Sequence, residues 1–294
     1  MDVKIEVGKL LAEGKTKRVF AVKGQDDRVI CVYKDTITAH NDPKLTREFI
    51  GKGADSNTIN CRVFDLLNRV GIPTAFIKQL SANEFLALKC QMIPLEIVAR
   101  RYLVGSYLKR HLDVIEGTRC SHLLVEFFLK TIRGRLINEK GQALIGGLTP
   151  EQDDPLIANP FGSNWQLIHP KLPVWDENRE LGNIAASAVI PNMMVFETVQ
   201  NMDDIVRRVF LTLENAWGRL RLRLIDLKIE FGIAPDGRLV VADVIDPDSW
   251  RLHFPTKGGG WEDVSKQSFR NGDELDKVRI KYALVAKLAR KLDV

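Results

Sequence analysis

In the stretch LIDLKIEFG, residues 224 to 232, Asp226, Lys228 and Glu230 alternate with Leu227, Ile229 and Phe231. Successive side chains of an extended chain point to opposite faces, so the three charges share one face and the three apolar residues the other. The apolar face belongs to a core, and the charged face is available for chemistry. IAPDGRLVVADVIDPDSWR follows, and its Asp236-Gly237 pair predicts a two-residue hairpin turn. With Pro235 paired to Arg238, Glu230 lies across the ladder from Asp243. Facing carboxylates repel unless a cation sits between them. A divalent ion relieves that repulsion, and Mg²⁺ usually takes phosphate oxygens as its further ligands. A solvated sheet face on which Lys228 supplies the relief is the alternative.

Two other segments could bind anions. AEGKTKRVF combines a glycine turn with Lys15 and Lys17 on one strand face; it suits phosphates, although it matches neither common phosphate-loop pattern and also reads as a lysine-bearing surface hairpin. MIPLEIVARRYLVGSYLKR, residues 92 to 110, starts as a strand and turns at Gly105-Ser106, which gathers Arg100, Ser106, Lys109 and Arg110. Arginine reads phosphate or carboxylate through two parallel bonds. A Glu96–Arg100 ion pair on one strand face is the competing use. Beyond the hairpin, DPDSWRLH adds Arg251, with Trp250 as its core anchor. The five histidines are scattered, without a pair at metal-ligand spacing.

These segments need elements to hold them. Alternating runs from 3 to 33, broken by Gly14, Gly24 and Asp26-Asp27, predict an antiparallel meander. NTINCRVFDLLNRV, 57 to 70, places Ile59, Val63, Leu66, Leu67 and Val70 on one helical face and stops at Gly71. Strands follow near 75–79, 84–90 and 93–102. From 131 to 194, repeated Gly and Pro predict surface loops and short elements. Helices are predicted over 195–217 and about 274–292, the latter with a core stripe of Val278, Tyr282, Val285 and Leu288. The mixture predicts an α+β fold, divided at 91 into a β-rich 1–91 and an α+β 92–294.

The 294 residues, 45% hydrophobic and 28% charged, are enough for one large domain or two smaller ones. The net charge of +5 is interspersed rather than blocked, which speaks against an RNA-binding module. Cys31, Cys61, Cys90 and Cys120 form no metal-binding pair. Without a signal-peptide stretch or eighteen consecutive apolar residues, a soluble, reducing, cytoplasmic setting with no membrane partner is expected.

Taken together, EGKTKRVF (13–20), MIPLEIVARRYLVGSYLKR (92–110), LIDLKIEFG (224–232) and ADVIDPDSWRL (242–252) resemble the SAICAR synthetase family. ITAHN (37–41), GIPTAF (71–76) and KQSFR (266–270) extend the resemblance in order along nearly the whole chain. It implies a two-lobed fold with an ATP site between a smaller β-rich lobe and a larger α+β lobe. It also implies an ATP-dependent ligase of purine biosynthesis. ATP would phosphorylate the carboxylate of 5-amino-1-(5-phospho-D-ribosyl)imidazole-4-carboxylate (CAIR), and the amine of L-aspartate would displace phosphate.

By that resemblance Glu230 and Asp243 handle Mg²⁺ and nucleotide, while Lys15, Lys17 and Lys130 reach the ATP phosphates and Gln91-Met92 border the adenine. Arg100, Ser106 and Arg251 grip the ribonucleotide phosphate, and Lys228 lies by the reacting carboxylate. Asn41 and Asp154 match substrate positions, and Lys266 and Arg270 are candidates for the aspartate carboxylates or the nucleotide. Nucleic acid is not an expected partner; a homo-oligomer is left open.

The motifs are closest to the animal-type form, with Val244 where many bacterial members are acidic. TIRGRLINEKGQALIGGLTPEQ also intervenes between the FFLK lysine and the Asp-Pro element, which most relatives join almost directly. A different ATP-dependent phosphotransferase is the alternative activity.

Overall fold

The computed structural model describes residues 5–39, 42–138, 141–190 and 194–293. The chain forms two compact units, one of Met1–Gln91, Leu211–Leu224 and Gly232–Val294, the other of Met92–Phe210 and Ile225–Phe231.

The first unit opens with the predicted meander: β1 (Val7–Glu13), β2 (Lys17–Val22) and β3 (Gln25–Tyr33), each antiparallel to the next. Helix α1 (Lys52–Arg69) follows, then β4 (Phe76–Gln79) and β5 (Glu84–Leu88), which complete a sheet of order β1-β2-β3-β5-β4. Ile59, Val63, Leu66 and Leu67 are buried as their spacing predicts. The helix nevertheless begins five residues earlier than expected. The Asp35 carboxylate accepts the N–H groups of Gly53 (2.8 Å) and Gly51 (3.3 Å), and so satisfies two donors that the helix itself leaves orphaned. That cap comes from a residue well upstream, beyond the reach of a local window.

The second unit takes up β6 (Gln91–Tyr102) from Met92 onward and pairs it antiparallel with β7 (Arg119–Leu129). Strands β8 (Leu156–Ile157), β9 (Asn164–Ile168) and β10 (Glu180–Ala185) continue the sheet beyond β7. These last three lie where loops and short elements are expected. They bury Trp165, Leu167 and Ile168, yet each is too short for alternation to register as a period. Helix α2 (Val195–Arg219) matches its amphipathic pattern, with Met202, Val206, Val209, Phe210 and Leu213 buried. Strand β11 (Arg223–Ile233) carries the LIDLKIEFG stretch and lies beside β6.

The C-terminal part returns to the first unit. β12 (Leu239–Ala242) pairs with β11, β13 (Trp250–Pro255) with β14 (Trp261–Asp263), and α3 (Leu275–Ala289) packs on α1. Ala75 N–H donates to Val241 O (2.8 Å), and Val241 N–H to Pro73 O (2.9 Å). These long-range bonds replace the expected contiguous division at 91 with a discontinuous one.

The hairpin turn also differs from expectation. Ala234 N–H donates to Arg238 O and Gly237 N–H to Ala234 O, both at 2.9 Å, so Ala234 and Arg238 close a three-residue loop. Gly237, at φ 83°, takes the left-handed position that such a loop requires. The register slips by one residue, and the facing of Glu230 and Asp243 deduced from a two-residue turn is lost. Among the described residues no helix is long and apolar enough to cross a membrane.

Candidate functional site

The charged face of β11 is organised by its neighbours in the second unit. Lys228 Nζ donates to Glu230 Oε1 and to Glu96 Oε1 of β6, both at 2.8 Å. Lys130, the residue after β7, donates to Glu230 Oε2 at 2.5 Å and lies 4.0 Å from Glu96. Burial alone would depress the Lys228 ammonium, but Glu96 and Glu230 outweigh it and raise its pKa. Burial would likewise raise Glu230, but Lys228 and Lys130 pull it down to about 2. Lys228 and Glu230 therefore form an ion pair at neutral pH, with Glu96 and Lys130 bonded to it and Lys130 37% exposed.

Asp154 belongs to the same neighbourhood. The long excursion after Lys130 is pinched at its base: Thr131 N–H donates to Asp154 Oδ1 and Asp154 N–H to Thr131 Oγ1, each at 2.9 Å. Asp153 accepts from Gly134 N–H at 3.0 Å and from the Thr131 hydroxyl. Gly134 is required there, since at φ 71° a Cβ would run into the Leu148 carbonyl. The inserted residues thus leave Lys130 and Asp154 at one junction. Burial raises Asp154 to about 6, helped by Glu96 and Asp153, while Thr131 N–H and Lys228 oppose the shift. It holds a left-handed φ of 56°, a conformation an aspartate tolerates better than most residues.

At the other end of the β11 face Arg100 is buried, with Nε on Glu126 Oε2 and Nη1 on Asp226 Oδ2, both at 2.7 Å. Arg110 shares Glu126 and donates to Pro170 O at 2.8 Å. The expected Glu96–Arg100 alternative is not the pairing seen: Glu96 serves Lys228, and Arg100 takes carboxylates from β7 and β11. The remaining guanidinium nitrogen, Nη2, meets Ser106 Oγ at 3.3 Å at the start of the short helix Ser106–Arg110. Gly105 (φ 64°) makes the turn that brings this serine back. Arg100 and Ser106 are brought together as the motif predicts.

In the first unit Lys17 pairs with Asp243, which lies just past the end of β12 at φ 62°. Lys15 is in the β1–β2 turn and does not share the β2 face with Lys17. Gln91 and Met92 open β6 and are exposed. Arg251 is on β13; Lys266 precedes the short helix Gln267–Arg270, and Arg270 is its last residue. Lys266 donates to Asp248 at 2.9 Å. Asn41 lies outside the described residues.

Sequence reasoning overlooked Glu96 as a site residue, and Lys52, Asp246 and Asp248 altogether. Glu96 shares a β6 face with Arg100, so its position was legible but its partner was not. The spacing of Asp243, Asp246 and Asp248 in DVIDPDSW was a signal of the same kind. Among the described residues no three His, Cys, Asp or Glu side chains gather as a metal cage. That does not exclude Mg²⁺, which commonly needs only one or two carboxylates beside phosphates. Glu230, ionised and hard, is a donor of the right chemistry.

The SAICAR synthetase family profile matches residues 10–156 and 176–287. A phosphoribosylaminoimidazole-succinocarboxamide synthase of Chloroflexus aurantiacus is 38% identical over 289 residues, 97% of each chain. A bifunctional phosphoribosylaminoimidazole carboxylase/succinocarboxamide synthetase of Drosophila melanogaster is 37% identical over 290 residues; these are 96% of this chain and 57% of that protein. Among solved structures, a SAICAR synthetase in complex with ADP superposes with a TM-score of 0.69 at 26% identity, covering 98% of this chain and all of that one.

Proposed function

The chain belongs to the SAICAR synthetase family, the ATP-dependent ligases that join L-aspartate to an imidazole carboxylate, and we propose how its own residues carry that reaction. A carboxylate oxygen of CAIR attacks the γ-phosphorus of ATP and ADP leaves. The aspartate amine then attacks the acyl carbon, the carbon–oxygen bond to phosphate breaks, and an amide forms. Neither step needs covalent participation by the protein, so its contribution is alignment and charge.

The observation that supports this reading is the Lys130–Glu230–Lys228–Glu96 lattice on a strand of the family's own motif. Lys228 has a raised pKa, so it acts as a fixed cation beside the reacting carboxylate and not as a base. Lys130, with Lys15 and Lys17, takes ATP phosphates. A lysine–carboxylate pair can exchange partners: a phosphate takes the ammonium, and a divalent ion takes the carboxylate.

Glu230 and Asp243 are the carboxylates proposed for Mg²⁺, which when bound would add positive charge to the phosphate oxygens. Gln91 and Met92 border the adenine. Arg100, through Nη2, and Ser106 take the ribonucleotide phosphate together with Arg251. Asp154, ionised above about pH 6, suits the acceptance of a hydrogen bond from an amine. Lys266 and Arg270 serve the aspartate carboxylates. Four free cysteines fit a reducing cytoplasmic setting.

The test is product analysis with CAIR, ATP and L-aspartate each omitted in turn. The expected result is formation of SAICAR, ADP and phosphate only when all three are present. Stable phosphoryl transfer to CAIR that is indifferent to aspartate would instead identify a phosphotransferase.

A further inference from the structure

In the first unit Lys52, the first residue of α1, is wholly buried. Its ammonium has no hydrogen-bond partner among the described residues; it lies 3.6 Å from Asp248 Oδ2 and 5.9 Å from the centre of the Tyr282 ring. Removing an ammonium from water with so little in return is costly, and a hydrophobic residue would fill the space more cheaply. The position therefore calls for a charge, and the neighbouring residues indicate what the charge does.

Asp248 is held from several sides. Lys266 Nζ donates to Oδ2 at 2.9 Å, and the Tyr282 hydroxyl to Oδ1 at 2.7 Å. The buried Asp246 lies next to it and accepts the Asp248 N–H at 2.8 Å. Burial, and then the neighbouring Asp248, raise the pKa of Asp246. Burial would raise Asp248 as well, but Lys52, Lys266 and Tyr282 outweigh it and keep it ionised. Two ammonium groups thus face the Asp248 carboxylate, Lys266 at 2.9 Å and Lys52 at 3.6 Å. Lys266 is the more accessible of the two, its side chain 11% exposed against none for Lys52.

We propose that Lys52 is a positioning residue for the second substrate: by balancing Asp248 from within, it leaves the Lys266 ammonium to bind a carboxylate of L-aspartate. This rests on the assignment of Lys266 to aspartate made above. Without Lys52, Lys266 would be the only ammonium left on Asp248, and the incoming dicarboxylate would have to compete with that ion pair. A purely structural Lys52 would have no reason to favour one substrate over another.

Steady-state kinetics with L-aspartate, CAIR and ATP varied separately test this in Lys52→Met, Lys266→Met and the double variant Lys52→Met/Asp248→Asn. Lys52→Met should raise the KM for aspartate about tenfold, with the KM for ATP within about twofold of the parent. In the double variant the carboxylate that Lys52 balances is gone, so the aspartate KM should return to within about threefold of the parent. If Lys52→Met alone does not fold, the double variant, with the same net charge as the parent, carries the test. An unchanged aspartate KM in folded Lys52→Met, an equal rise for all three substrates, or a double variant that stays impaired would overturn the proposal. Lys266→Met separates the two assignments. A silent Lys266→Met removes the aspartate role and the inference with it, whereas an impaired Lys266→Met beside a silent Lys52→Met removes the inference alone.

Discussion

At the Asp226 end of the β11 face, Arg100 and Arg110 share Glu126 while Arg100 also holds Asp226, and all four side chains are less than a tenth exposed. At the Glu230 end, Lys130 and Lys228 share Glu230 and Glu96, and both lysines are about a third exposed. The two clusters have the same charge count, two cations against two anions, and lie on one strand face. Their difference is solvent and side-chain type. Forked guanidinium groups away from water lock into one geometry, whereas lysines near water exchange partners at low cost. The closed end holds Arg100 beside Ser106, and the open end keeps its charges exchangeable, as the proposed binding of phosphate and metal requires.

The comparison can be broken at four points, from the largest effect to the smallest. Asp226→Ala leaves Arg100 buried with one carboxylate fewer and should cost about 3–5 kcal/mol of stability in denaturant unfolding. A loss below about 1 kcal/mol would show that the buried end is no strut. Glu230→Gln should lower turnover about a hundredfold, equivalent to about 2.7 kcal/mol of barrier, and raise the Mg²⁺ concentration needed. Its unfolding midpoint should move much less than that of Asp226→Ala. A fully active variant would make the lysine–glutamate lattice mere surface.

Arg100→Lys keeps the charge and loses the fork, so the KM for CAIR should rise about tenfold with little change in kcat. An unchanged KM would remove Arg100 from phosphate binding. Asp154 offers the smallest effect, and its sign is set by its raised pKa, about 6 against a usual 3.8. The folded state holds this proton more tightly, so the stabilisation is present below about pH 4 and is lost as pH rises through 6. Asp154→Asn, which keeps the acceptor for Thr131 N–H, should gain about 1 kcal/mol at pH 7 and flatten the midpoint between pH 4 and 6. A midpoint that still falls over that range would trace the titration to another group.

Much of this was legible along the chain. The alternation of 226, 228 and 230 against 227, 229 and 231 predicted the two faces of β11, and the periodicity of α1 and α2 predicted their buried stripes. Asp226, without an evident role on the strand alone, proves to be the second carboxylate on Arg100. The start of α1 and the strands between 156 and 185 were not legible, because one depends on a distant cap and the others on pairing with neighbours.

The sequence by itself determined which residues share a face, which segments are helical and, through long motifs, the family. Those properties follow from local covalent geometry and side-chain burial, which act over a few residues. Only the tertiary structure decided which charges meet. Glu96 and Lys130 reach Lys228 and Glu230 because β6 and β7 pair and β11 lies beside β6, and Asp248 meets Lys52, Lys266 and Tyr282 from three separate segments. A turn one residue longer than its Asp-Gly signal implied removed the pairing deduced for Glu230 and Asp243. Partner choice depends on long-range contacts and register, where a single residue in a loop reverses what local pattern implies.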